Sequence, residues 1–410
     1  MTAETVIGAK GMSNLKLVYA HPVPIPSQAA NAVQVVKACS AFHAIGCRIV
    51  LAIPLDRSGT NKWGEIRKAY DPERRFGLWH IPFGRIPARK LAFGGAVSLL
   101  AWLTARDAVI TRSISVARAT AAAGVPTVLE LHSSIDTEHR AVIRRFDNLA
   151  KSKNLLSLVV ISEALRKHFE SRWPELSGRI LSMPLGGDLV KALEQDAIPL
   201  CGDFNVGYAG QLYPGKGMEV ILPLAQASPW ATFHIVGGAQ HDIDQWRARA
   251  ESERNIIFHG YVPHARIPSF LAAFDVVLAP YQRVVRGVGN KTANLSDWMS
   301  PLKAFEYMAH GKAILCSDLP VLREIFTGGE TALLCSPDDV MDWTRGLTQL
   351  RDNTELRTRL GENAKRRMER EFTREAWARK IVYDIGARLH ELKRRGPIGQ
   401  SGSSQLGSNS

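Results

Sequence analysis

Two doubly wound α/β domains, each on a parallel sheet and facing the other across a cleft, are what this 410-residue sequence predicts. Three observations carry the expectation. Short apolar runs alternate with helical spacings through the first half, and the alternation restarts in the second. The length is enough for two domains with their own cores. Glycines close two of the runs, at Gly210 and at Gly237-Gly238, where open parallel sheets bind ligands beyond the carboxyl ends of their strands.

In the first half, residues 15–20, 48–53, 108–111, 127–130 and 156–161 read as buried strands, and residues 29–44 carry helical spacing. In the second half, strands are expected at 205–209, 232–236, 256–258, 276–279 and 313–317, with helices at 218–227 and 267–273. The remainder is helical, at 338–350, 354–371 and 374–395. The domains are therefore drawn as residues 1–200 and 201–375, both Rossmann-like, followed by a terminal helix over 376–395. The Gly/Ser/Gln-rich tail 396–410 is expected to be disordered.

The five cysteines (Cys39, Cys47, Cys201, Cys316, Cys335) are odd in number and never spaced CxxC, which suits reduced thiols and neither a disulfide framework nor a zinc site. The polar N-terminus lacks the apolar stretch of a signal peptide. The longest apolar stretch, residues 91–105, is broken by Gly94-Gly95 and too short to span a bilayer. A cytoplasmic protein, soluble or peripheral at a membrane, is expected. The net charge of +13 would attract anionic membranes, nucleic acid or anionic substrates. Basic residues gather among aromatics over 62–90, with Arg74, Arg75 and Arg85, and again over 140–153. That mixture suits an anionic membrane surface, single-stranded nucleic acid or a plain solvated face.

Ser300-Pro301 reads as an N-cap with proline at the first helical position, and Leu302, Phe305 and Met308 give the new helix a buried face. Lys303 then sits in the first turn, where the dipole repels a cation unless an anion lies at the helix mouth. Glu306, one turn on, is placed to accept hydrogen bonds from sugar hydroxyls or to pair with Lys303. Residues 210–217, from Gly210 and Gln211 through Gly215 and Lys216, follow a strand and open a helix. They match GxxxxGK, but Gly217 stands where a P-loop needs Ser or Thr for magnesium. The loop still suits a phosphate, with Lys216 as point charge. Gly237-Gly238 permits close backbone approach. His132 follows a first-domain strand and should face the cleft, with Glu130 beside it or paired in the core.

Taken in order, residues 210–217, His259-Gly260-Tyr261-Val262-Pro263, residues 300–311, Asp318-Leu319-Pro320 and Glu324-Ile325 with Gly328-Gly329 resemble the family 4 retaining glycosyltransferases of GT-B fold. The resemblance covers nearly all of 205–375. It extends more weakly to Thr111-Arg112-Ser113 and residues 125–132 and 160–162. It implies a nucleoside-diphosphate-sugar donor as substrate, without cofactor or metal, held by the second domain. Gly210, Gln211, Gly215, Gly237, Gly238, Tyr261, Val262, Ser300, Pro301 and Leu302 would line the donor site. Lys216 and Lys303 would hold the diphosphate, Glu306 the ribose, and His132 would reach the donor sugar. His132, Lys216 and Glu306 are the implied catalytic set, and the terminal helix would cross back onto the first domain.

There are two departures from the family pattern. Trp298 stands where the family often has Glu, beside Asp297, and Gln211 stands where it often has Arg. Arg283, Arg286 or Lys291 is expected to compensate. The reaction implied is transfer with retention to an acceptor hydroxyl, on a glycan or lipid-linked acceptor, in polysaccharide or glycolipid assembly. The rival readings are a catalytically silent donor-binding scaffold, a sugar-nucleotide epimerase and a basic nucleic-acid binder.

Overall fold

The computed structural model describes residues 14–27, 30–55, 62–70, 72, 74–82, 88–190, 197–251, 253–286 and 294–394. The expected tail, Arg85 and Lys291 lie outside the described residues. The first sheet has seven strands: β1 (Lys16–Ala20), β2 (Arg48–Pro54), β3 (Gly77–Ile81), β4 (Ala108–Thr111), β5 (Thr127–Leu131), β6 (Leu155–Val160) and β7 (Ile180–Ser182). Their order is β3-β2-β1-β4-β5-β6-β7. The second has β8 (Asn205–Ala209), β9 (Thr232–Val236), β10 (Ile256–Gly260), β11 (Val276–Ala279), β12 (Ala313–Ser317) and β13 (Leu333–Cys335). Their order is β10-β9-β8-β11-β12-β13. Every pairing between these strands is parallel, with Val18 level with both Val50 and Val109 at the centre of the first sheet. Parallel strands need helical crossovers, which cover both faces and explain why β4 and β12 are buried along their whole length.

The first domain's helices are α1 (Ala30–Ala44), α2 (Trp63–Tyr70), α3 (Arg89–Leu103), α4 (Ile114–Ala122), α5 (Arg140–Ala150) and α6 (Glu163–Arg172). The second's are α7 (Met218–Gln226), α8 (Gln240–Arg249), α9 (Ile267–Ala273), α10 (Leu302–Ala309), α11 (Pro320–Arg323), α12 (Val340–Asp352) and α13 (Thr354–Arg367). A π-helical turn, Met368–Phe372, then leads into α14 (Arg374–Arg394).

Helix α14 belongs to the first core. Trp377, Ile381 and Ile385 are buried with Leu17, Val36 and Ile110, and the rings of Phe42 and Trp377 are 5.5 Å apart. Two segments therefore cross between the domains, and they run side by side. Gly187 N–H donates to Phe372 O at 2.9 Å. At Gly186, φ is +64° and a Cβ would lie 2.3 Å from Phe372 O, so only glycine fits. Asp188 ties the crossings to α1, with Lys37 at 3.2 Å and Arg374 at 2.5 Å.

Three strands depart from the sequence expectation. β3 is a half-polar edge strand, and β7 and β13 have three residues each, too few for an apolar run to stand out.

Candidate functional site

In the second sheet the winding direction reverses between β8 and β11, the switch point where open α/β sheets hold ligands. The loop after β8 and the segment after β11 meet there, and both carry the groups that the sequence singles out. Lys216 Nζ lies 5.1 Å from the ring centres of Tyr213 and Tyr281. Lys303 Nζ lies 3.6 Å from that of Tyr208 and 4.9 Å from that of Tyr281. It is sealed from solvent and has no hydrogen-bond partner among the described residues. Aromatic faces attract cations, but they do not neutralise two of them. Burial lowers the Lys216 ammonium to about 8. Lys303 falls well below the ordinary lysine range, first through burial and then through the Lys216 charge, against the smaller opposing pull of Glu306. Two lysine side chains beside the start of α10 are thus held in a place that disfavours positive charge.

The tyrosines also build the loop. Tyr208 Oη lies 2.6 Å from Gln211 O and 3.1 Å from Lys216 O. Tyr307 Oη accepts from Ala209 N–H at 2.9 Å. Glu219, in the first turn of α7, accepts from Gly215 N–H at 2.8 Å and Gly217 N–H at 3.2 Å. These two amides are therefore occupied by protein. The φ of Gly215 is +87°, and a Cβ there would stand 2.2 Å from Val284 O, so its role is to let the loop pack against the segment after β11. Gly237 serves close approach of another kind, since a Cβ there would stand 2.7 Å from Gly210 O. A Cβ at Gly210 would stand 3.2 Å from Lys303 Nζ, and one at Gly238 would strike Leu212.

The helix boundary is corrected. Pro301 is itself the N-cap, extended at ψ 122° and without a side-chain cap bond, so α10 begins at Leu302. Ala304 N–H donates to Pro301 O at 3.0 Å, so of the first-turn amides those of Leu302 and Lys303 have no acceptor within the helix. Ser300 Oγ faces the other way and accepts from Leu185 N–H at 3.0 Å, tying α10 to the chain leaving the first domain. Glu306 is half-buried one turn beyond Lys303 and acts on it electrostatically. Tyr261 stands 81% exposed beyond β10, while Val262 packs on the second core.

On the first domain, the corresponding switch point lies between β1 and β4. Arg112 Nη2 is 2.6 Å from His132 Nδ1, His132 Nε2 is 2.5 Å from Glu130 Oε1, and Tyr19 Oη donates to Glu130 Oε2 at 2.7 Å. A guanidinium only donates, so Nδ1 accepts and the proton of a neutral imidazole sits on Nε2, facing Glu130. Burial drives His132 below its ordinary value. Burial pushes Glu130 up, but His132, Arg112 and Tyr19 together hold it at about 2. Both ring nitrogens of His132 thus have protein partners. Arg112 Nη1 and His21 Nε2 are the buried polar atoms of this corner without one among the described residues. His21 follows β1 directly, and its position at a strand end beside the reversal was the signal for it.

The structure does not bring Trp298 to the lysines. Its ring lies 5.0 Å from that of His168, packed on the first domain. Arg283 pairs with Asp338 at 2.5 Å, and Arg286 is exposed. Glu324 also bridges the domains, accepting from Glu163 N–H at 2.8 Å at the start of α6.

Residues 199–367 match the family model described as glycosyl transferases group 1. A Klebsiella pneumoniae protein named "Uncharacterized 41.2 kDa protein in cps region" is 25% identical over 138 residues, which is 33% of this chain and 33% of that protein. The match thus spans a third of that relative's length. Among solved structures, Anabaena HepE in complex with UDP is similar at a TM-score of 0.65 and 16% identity, over 91% of this chain and 100% of that one. A Rickettsia africae glycosyltransferase is similar at 0.68 and 11%, over 92% and 99%. Sucrose-phosphate synthase of Thermosynechococcus elongatus is similar at 0.64 and 15%, over 92% and 99%. Identities this low speak for architecture alone, and with the two facing parallel-sheet domains they establish that the chain has the GT-B fold.

Proposed function

We propose that this protein is a retaining glycosyltransferase that moves a sugar from a nucleoside-diphosphate sugar to an acceptor hydroxyl without a metal. The observation that carries the reading is the Lys216–Lys303 pair at the switch point, with Lys303 Nζ sealed from solvent without a hydrogen-bond partner among the described residues and with only the smaller opposing pull of Glu306. A diphosphate supplies the missing charge. UDP and UDP-glucose in the Anabaena HepE structures make uridine the first base to test. As the glycosidic bond breaks, charge builds on the leaving diphosphate, and two ammonium groups with the α10 amides stabilise it without reorganising. Glu306 accepts from the ribose hydroxyls, and Tyr261 and Val262 border the nucleoside. From the first domain, His132 holds Arg112 toward the cleft, and the acceptor hydroxyl is positioned there for attack on the face the leaving group vacates, its proton passing to the departing diphosphate oxygen. The acceptor is a glycan or a lipid-linked glycan, in polysaccharide or glycolipid assembly.

The test is thermal unfolding against UDP, GDP, ADP and their sugars, with Lys216→Ala beside wild type, followed by turnover of whichever sugar nucleotide binds. Ligand at a hundred times its Kd adds about 2.7 kcal/mol of stability. One diphosphate class should raise the midpoint of wild type and leave the variant unmoved. No shift with any of them overturns the reading, and binding without turnover identifies a donor-binding scaffold instead.

A further inference from the structure

The amino ends of the first sheet carry a second basic site, on the side of the domain away from the switch point. Lys16, Arg48 and Gly77 are the first residues of β1, β2 and β3. With His43, Arg75 and Arg106 they line an open cavity of about 580 Å³. The five residues of β1 separate this cavity from the cleft end of the sheet by roughly 16 Å. Among the described residues no carboxylate lines it. Asp107, the acid nearest in sequence, is engaged by Lys16 N–H at 2.7 Å. Arg106 is fixed in the wall, with Nη1 donating to Arg48 O at 3.0 Å and its guanidinium 5.3 Å from the Trp79 ring centre.

An apolar ridge adjoins the cavity. Leu99, Trp102 and Leu103 are 59%, 67% and 72% exposed in the last turns of α3. Spaced i, i+3, i+4, they share one face of the helix. The chain then turns through Thr104 to Arg106, both of which line the cavity. Free phosphate or a soluble acidic glycan has no use for exposed leucines, and a nucleic-acid groove stacks bases on aromatics rather than on aliphatic side chains. A bilayer surface uses both halves, with tryptophan and leucine entering the interface and cations meeting the headgroup phosphates.

We propose that this face docks on an anionic membrane, the cavity seating a lipid headgroup phosphate while Leu99, Trp102 and Leu103 enter the interface. The site is separate from the donor pocket and does not depend on the chain transferring sugar. Arg75, from the basic aromatic stretch noted in the sequence, contributes one wall.

The experiment is co-sedimentation of the full chain with vesicles of phosphatidylcholine alone and of phosphatidylcholine with phosphatidylglycerol. Two double variants, Arg48→Gln/Arg75→Gln and Trp102→Ser/Leu103→Ser, alter exposed side chains, and circular dichroism melting checks their fold. Wild type should bind only the anionic vesicles, and each pair should weaken binding about tenfold or more. Absence of vesicle binding by wild type, or equal binding by wild type and the apolar pair, overturns the proposal. So does full displacement of the protein from vesicles by pyrophosphate or by an oligonucleotide, which would make the cavity a site for those anions. Any nucleotide-induced melting shift should be the same in both folded variants as in wild type, so failure here is distinguishable from failure of the donor reading.

Discussion

Replacing Lys216 by methionine separates the folding cost of the anion site from its use in binding. Burial lowers the Lys216 ammonium from the ordinary lysine value of 10.5 to about 8, which corresponds to about 3 kcal/mol against the nucleotide-free folded state at neutral pH. Below pH 8 the folded and unfolded chains both carry the proton, and the whole penalty is present. Between pH 8 and 10.5 the folded chain releases it while the unfolded chain keeps it, so stability rises with pH through that window. Methionine nearly matches the length of the side chain and removes the charge. The nucleotide-free variant should therefore melt higher than wild type at pH 7, by about 6–12 °C if the whole 3 kcal/mol is recovered. That advantage should shrink steadily toward pH 10.5. The same variant should lose the melting shift expected of wild type with UDP, the first base to test. The assay is differential scanning calorimetry at several pH values with and without UDP. A variant that melts below wild type at pH 7, or that keeps the full UDP shift, refutes an uncompensated anion site.

Glu130→Gln should lower stability at neutral pH by about 3 kcal/mol, since the carboxylate held at about 2 stabilises the fold above pH 4.5 and loses that contribution as pH falls toward 2; acid unfolding curves of variant and wild type should converge there. Glu219→Ala removes the acceptor of the Gly215 and Gly217 amides and should cost about 1–2 kcal/mol, with weaker nucleotide binding in calorimetric titration. Trp298→Ala should leave nucleotide affinity within about threefold of wild type, because a residue outside the pocket contributes no contact to lose; a larger loss in the same titration would place the ring at the ligand.

The wound sheets were readable because parallel strands covered on both faces are short unbroken apolar runs, as in β4 and β12. β3 was not readable, since Gly77, Trp79 and His80 on a sheet edge carry no such pattern. Lys216 and Lys303 stood out because a lysine after a glycine turn and another in a helix's first turn are both electrostatically out of place. Their tyrosine cage did not, as Tyr208 and Tyr281 resemble ordinary strand-end core residues until the fold brings them together. Glu219 in a first turn looks like a complement to the helix dipole, and its grip on two loop amides is a tertiary fact. Ser300-Pro301 is ambiguous locally: the same dipeptide would cap a helix at either residue, and the inter-domain bond from Leu185 decides it.

Because α14 completes the core of the first domain, the chain cannot finish folding in the order in which it is made. The last strand of the first sheet ends at Ser182, whereas α14 begins at Arg374, roughly 190 residues and about 10–40 s of synthesis later. Throughout that interval Phe42 and the surface around it await Trp377. The second domain, whose strands and helices are contiguous in sequence, is the part able to mature first. The nascent protein thus passes through a stage in which its earliest residues are the least finished, and that exposed surface is what a chaperone would meet.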